Sequence, residues 1–149
     1  ANYRLHSFYF PYHEKLKNLI EKTWGSFKKV ILLDCHSMPQ SSINLSSMKD
    51  PIDVVLGDCF GRSCENEIVM ELNYLLQEAG FGVSLNKPFS GGFITRNYAS
   101  PPNNIHVVQL EILRSLYSHE KKQTKNSEFL SIQNRLLDAI EQFIKRFEY

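Results

Sequence analysis

The run Lys29-Val30-Ile31-Leu32-Leu33-Asp34 constrains this chain more than any other stretch. Its four aliphatic residues follow one another without alternation. A strand with one solvated face alternates polar and apolar positions, whereas an unbroken run asks for apolar cover on both faces. The run therefore predicts a strand inside an α/β sheet. At its far end it leads straight into Asp34-Cys35-His36-Ser37-Met38-Pro39, so a chemically capable segment sits where the strand ends.

The flanking segments supply the helices such a sheet needs. Pro11 to Trp24 has a proline suited to a first helical turn and an apolar stripe at Leu16, Leu19 and Ile20, with Gly25 as its stop. Ser63 to Ala79 carries Ile68, Leu72, Leu75 and Leu76 at helical spacing, Ser63 as N-cap and Gly80 as terminator. Ile132 to Phe147 sets Ile132, Leu136, Ile140, Phe143, Ile144 and Phe147 on one face. Further strands are expected at Asp53–Gly57, Gly82–Leu85, Phe93–Thr95 and Ile105–Leu110, with a Gly-rich turn at Gly91-Gly92. Ser37 to Pro51 has no period and is expected to be a long loop, and Ser118 to Ser127 a mobile linker. Together these predict one α/β domain over residues 1–149, three-layered, with a mostly parallel or mixed sheet flanked by helices.

Composition narrows the function classes. With 149 residues, 42% hydrophobic and 22% charged, the chain is an ordinary globular length and mix. A net charge of +1 gives no bulk attraction for a nucleic acid, and the short Lys121-Lys122 run is a solvated loop. No apolar run approaches the roughly 18 residues of a membrane span, and no signal-peptide pattern opens the chain. Cys35, Cys59 and Cys64 form neither an even set nor a CxxC pair, which argues against a disulfide framework and a cysteine-only zinc site. Reduced thiols and a cytoplasmic location are expected.

Three constellations carry chemistry. His36 and Asp34 share a face of their strand, so the carboxylate can orient the imidazole, leaving its other nitrogen for a metal. A hydrogen-bonded histidine that merely ends a strand fits the same residues. Asn86 to Arg96 combines a glycine turn with a guanidinium able to hold a carboxylate by two parallel hydrogen bonds, or to pair with a surface acid. In His106-Val107-Val108-Gln109-Leu110-Glu111, Gln109 and Glu111 fall on one strand face and His106 on the other. Glu111 suits a general base on a metal-bound water, or the first turn of a helix through Leu113 and Leu116.

Taken in order, Phe10-Pro11-Tyr12-His13, Leu33-Asp34-Cys35-His36-Ser37, Leu56-Gly57 with Gly61-Arg62-Ser63-Cys64, Leu85-Asn86 through Gly91-Gly92-Phe93-Ile94-Thr95-Arg96-Asn97-Tyr98, and His106 to Glu111 resemble the N-formylglutamate amidohydrolase family. The resemblance spans about residues 3 to 117. It implies a zinc-exopeptidase-like fold and hydrolysis of N-formyl-L-glutamate, or a related N-acyl acidic amino acid, to formate and glutamate by a zinc-activated water. It implies His36 as a Zn2+ ligand, Arg96 and Asn86 on a substrate carboxylate, Glu111 as base and proton shuttle, and His106 in support of substrate or of Glu111.

The chain departs from that family before His36. The family's preceding segment carries a His-Ser-Gly zinc ligand and an acidic ligand, and His6-Ser7-Phe8 does not reproduce it. One ligand does not build a catalytic zinc site, which takes about three. The resemblance thus implies a C-terminal portion truncated at its N-terminus. Three functions fit: part of an active enzyme, a non-catalytic remnant, or a module binding a small carboxylate through Arg96. A truncated sheet would also expose an edge strand and favour self-association.

Overall fold

The computed structural model describes residues 2–43 and 51–147. Of the expected loop over Ser37–Pro51, residues 44–50 lie outside the described residues, while Ser37 and Met38 belong to the first long strand and Gln40–Ser42 form a 3-10 turn. The chain begins helically, with α1 (Asn2–Arg4), a π-helical stretch (Leu5–Tyr9) and α2 (Phe10–Phe27) in succession. Gly25 does not stop α2. The helix runs past it until Lys28 takes a left-handed conformation, φ 55°, and returns its N–H to the Trp24 carbonyl. Of the expected stripe only Ile20 is buried, and Leu19 lies open.

Next come β1 (Val30–Met38), β2 (Val54–Gly57), α3 (Asn66–Glu78), β3 (Val83–Leu85), α4 (Phe93–Tyr98), β4 (Ile105–Leu113), a hairpin of β5 (Ser118–His119) and β6 (Thr124–Lys125), and α5 (Phe129–Phe147). The main sheet has the order β1-β4-β2-β3 and is mixed. β1 runs parallel to β4 and β3 parallel to β2, while β2 and β4 are antiparallel.

Five local expectations are corrected. The apolar run does form a strand, but among the described residues β1 is an edge strand and its middle receives only partial cover. Phe93–Thr95 is helical, because Gly92 precedes a turn that Thr95 closes by accepting the Gly92 N–H on its hydroxyl at 3.3 Å. Ser63 caps no helix, since Glu65 stands at that position. The Ser63 hydroxyl donates instead to the Val107 carbonyl at 2.8 Å. Ser118–Ser127 contains the β5–β6 hairpin instead of an unstructured linker. Glu111 lies within β4 and begins no helix.

One sheet face receives α3 and α5. Val54, Leu56, Val108 and Leu110 meet Ile68, Leu72 and Leu76 of α3 and Ile132, Ala139 and Phe143 of α5 there. Arg135 of α5 donates to the Ala79 carbonyl at 2.7 Å and lies over the Phe81 ring, fastening α5 to the end of α3. On the other face a smaller cluster of Met38, Ile43, Ile52, Val55 and Leu113 fills one end. α4 packs against β4 as well, and α2 meets α4 through His13, whose Nδ1 lies 2.6 Å from the Tyr98 hydroxyl.

Candidate active site

Strand register decides which side chains meet. β1 and β4 are aligned residue for residue over nine positions, and in a parallel pair aligned residues point to the same face. Asp34 stands beside Gln109, and His36 beside Glu111. All four therefore project from one face, opposite the α3–α5 core. His36 lies two residues inside β1, so it is a strand residue rather than the start of a loop.

Each member of this quartet is oriented by its strand neighbour. His36 Nε2 donates to Asp34 Oδ1 at 3.1 Å, which leaves Nδ1 with a free lone pair. Gln109 Nε2 donates to Glu111 Oε1 at 2.6 Å. Gln109 and Glu111 are buried, whereas half of the His36 side chain is open to solvent. The Gln109 Oε1 atom is buried and has no hydrogen-bond partner among the described residues. A hydrogen-bond acceptor in that condition costs about 1–3 kcal/mol unless a ligand or water supplies a donor. It faces the start of α4, where a Cβ placed on Gly92 would stand 3.3 Å from it.

Two loops close the floor beside this face. The Gly57 position admits no side chain, because a Cβ there would lie 2.7 Å from the Gly91 nitrogen. Gly91 itself has φ +124°, a conformation open to glycine. Asn86 knits the two loops together. Its Oδ1 accepts the N–H groups of Asp58 and Phe60 at 3.1 and 3.2 Å, and its Nδ2 donates to Asp58 Oδ1 at 2.7 Å. The Asn86 side chain thus ties the loop after β3 to the loop after β2. Asp58, buried beside it, was not singled out by sequence reasoning, and the Gly57-Asp58 step at the end of β2 was the available signal.

Arg96 sits in the last turn of α4, exposed, with no ion pair or hydrogen bond among the described residues. Its guanidinium is available to a carboxylate arriving from solvent. His106 does not join the group. Alternation along β4 turns it to the opposite face, where it is fully buried and its Nδ1 accepts the Glu65 N–H at 3.4 Å. Its Nε2 lies 4.0 Å from a Glu65 oxygen, and burial lowers its pKa against the opposing pull of that carboxylate. That placement puts the His106 and Glu111 side chains on opposite faces of β4.

Among the described residues no three His, Cys, Asp or Glu side chains converge as a metal cluster. A catalytic zinc needs about three protein ligands. The His36–Asp34 pair alone does not meet that requirement.

Comparison with known proteins follows the same residues. The N-formylglutamate amidohydrolase family model matches residues 1–118. The chain is 37% identical over 111 residues to the N-formylglutamate deformylase of Pseudomonas putida, covering 74% of this chain and 41% of that protein. It is 32% identical over 112 residues to the N-formylglutamate deformylase of Pseudomonas aeruginosa, with 74% and 42% covered. The crystal structure of N-formylglutamate amidohydrolase from Ralstonia eutropha JMP134 superposes with a TM-score of 0.87 at 30% identity, over 97% of this chain and 54% of that one. A gene product of Agrobacterium tumefaciens, Atu2144, shares the fold with a TM-score of 0.65 at 18% identity. This chain spans about two-fifths of the length of those curated relatives. It belongs to the N-formylglutamate amidohydrolase family.

Proposed function

We propose that this chain carries part of the active site for hydrolysing N-formyl-L-glutamate, or a closely related N-acyl acidic amino acid, to formate and glutamate. The observation that carries the proposal is the alignment of His36 with Glu111 on one face of adjacent strands, each held by its own neighbour, Asp34 and Gln109. Family membership supplies the substrate class, since the relatives are named for that reaction.

Amide hydrolysis adds water to the formyl carbonyl and breaks the C–N bond, moving one proton from the water to the departing amine. Glu111 suits that proton transfer. One oxygen is held by Gln109, and the other is left to accept a proton and hand it on. The unpartnered Gln109 Oε1 suits the N–H of the scissile amide, a donor that would remove its desolvation penalty. Arg96 is assigned to a substrate carboxylate, which its planar fork can bind bidentately. Zn2+ is the ion proposed for the free Nδ1 of His36, with the remaining donors coming from outside the described residues.

Formate release from N-formyl-L-glutamate tests the reading. Turnover by the native chain with added zinc, lost in His36→Ala and in Glu111→Gln, supports it. Turnover that survives Glu111→Gln removes Glu111 as base. A chain without turnover that still binds glutamate through Arg96 is a carboxylate-binding module.

A further inference from the structure

Gln109 and Gly92 face one another across the candidate site. Gln109 is only 5% exposed, and its Nε2 donates to Glu111 Oε1 at 2.6 Å. A carboxylate only accepts, so that bond fixes which end of the Gln109 amide carries the oxygen. Oε1 is the end left over, and among the described residues it has no partner. Its neighbours on the sheet offer it no donor. Asp34, aligned with it on β1, is an acceptor held by His36, and Gly57, opposite it on β2, has no side chain. The backbone of Gly92 is spent as well. Its N–H goes to the Thr95 hydroxyl and its carbonyl to the Arg96 N–H, each at 3.3 Å.

Glycine at position 92 keeps this oxygen reachable. Its φ of −94° is on the side that every L-residue adopts, so no left-handed turn asks for glycine here. The effect of a side chain would be on Gln109. A Cβ at position 92 would stand 3.3 Å from Oε1, and apart from the flanking residues no other heavy atom lies within 4 Å of it. A donor nitrogen stands about 2.9 Å from its acceptor, so that Cβ would crowd the place of a donor to Oε1.

We propose that Gly92 and Gln109 form a selectivity subsite that reads the N–H of a secondary amide. The ligands it takes are N-acyl derivatives of primary amines. An isosteric ester is refused because it turns an oxygen lone pair on Oε1. A tertiary amide is refused because it brings a carbon where Gly92 has left room for a hydrogen. Arg96 lies one helical turn beyond Gly92, about 6 Å along the axis, and binds the carboxylate that all three ligand types share. The inference rests on the hydrolysis proposed above and adds which scissile groups the site rejects, and by which residues.

Titration calorimetry of the whole chain tests it, with EDTA present so that the ligands stay intact. The probes are N-formyl-L-glutamate, its N-methyl derivative and the formate ester of 2-hydroxyglutarate. The native chain is expected to bind the secondary amide about tenfold or more tighter than either analogue, because only that ligand satisfies Oε1. In Gly92→Ala and in Gln109→Leu, each folded by circular dichroism, the ratio is expected to fall close to one. Arg96→Ala is expected to weaken all three ligands alike and to keep the ratio. Equal binding of amide and ester by the native chain overturns the inference and leaves the Arg96 reading standing. A preference that persists in folded Gln109→Leu overturns it too, since another group then reads the N–H. Binding of none of the three overturns the functional reading, and this inference with it.

Discussion

β1 and β4 are the same length, run parallel and are aligned residue for residue, yet they live in different solvents. Along β4 the six residues from His106 to Glu111 are buried, while β1 is half-buried from Ile31 to Asp34 and open from Cys35 to Ser37. Both strands present apolar runs in the sequence. The difference comes from place in the sheet: among the described residues β4 has β1 on one side and β2 on the other, and β1 pairs with β4 alone. The lesson is that an apolar run reports the preference of a strand for cover, and the topology decides how much cover it gets. The candidate site lies across this boundary. Its base, Glu111, is on the rigid strand, and its metal-ligand candidate, His36, is on the open one.

Thiol chemistry should break the two environments apart most sharply. Burial, with the nearby Asp58 and Glu65 carboxylates adding to it, pushes the Cys64 pKa up to about 12. At pH 8 only about one Cys64 thiol in ten thousand is ionised, and the thiolate is the reactive form. Cys35 lies exposed on β1, although burial of part of its thiol and the adjacent Asp34 raise its pKa too. Iodoacetamide followed by mass spectrometry should modify Cys35 in the folded chain and Cys64 only after denaturation. Equal labelling of both would mean that the β4 core opens freely.

Next in size is the role contrast within the site. Glu111→Gln keeps the shape and the Gln109 contact but removes the base, and should lower formate release by about 10²–10⁴-fold. Gln109→Leu, which leaves Glu111 in place but unoriented, should lower it less. A larger loss in Gln109→Leu would make the amide, and not the carboxylate, the essential group.

Packing gives the third contrast. Leu110→Ala on β4 removes a side chain that is 1% exposed and should cost about 3 kcal/mol in urea unfolding. Leu33→Ala on β1 removes a half-buried one and should cost about 1 kcal/mol. Equal costs would show that Leu33 is as fully covered in solution as Leu110.

The smallest effect is electrostatic. His106, buried on β4, is held neutral by desolvation, with its folded pKa below the usual 6.5. As pH falls through 6.5 the unfolded chain takes up a proton that the folded chain refuses, so stability falls. It stops falling, on account of this group, below the folded value. The His106→Gln variant should lack this slope in denaturant midpoints between neutral and acid pH. Ile31, its aligned partner on β1, has nothing to titrate, and Ile31→Val should keep the slope unchanged.

Much of the site was legible in the sequence because strand alternation is local. Asp34 beside His36 and Gln109 beside Glu111 follow from a period of two, and both hydrogen bonds are present. The opposition of His106 to that pair follows from the same period. That opposite face is the one covered by α3 and α5. The helical nature of Phe93–Tyr98 was masked because Phe93-Ile94-Thr95 has strand propensity, and propensity yields to context in so short a segment. The hydrogen-bond partners of Asn86, Asp58 and Phe60, lie 28 and 26 residues away, and no local pattern encodes them.

The sequence by itself determined the long helices and most strands, the face each polar side chain takes on its strand, and the family, because these rest on spacing and on residue strings. Only the tertiary structure decided that β1 is an edge and β4 the centre, that His36 and Glu111 are neighbours 75 residues apart in the chain, and that His106 lies beneath the sheet instead of above it. Those facts depend on the order and direction of strands. Order and direction are set by the total burial of the whole chain, which no single segment carries.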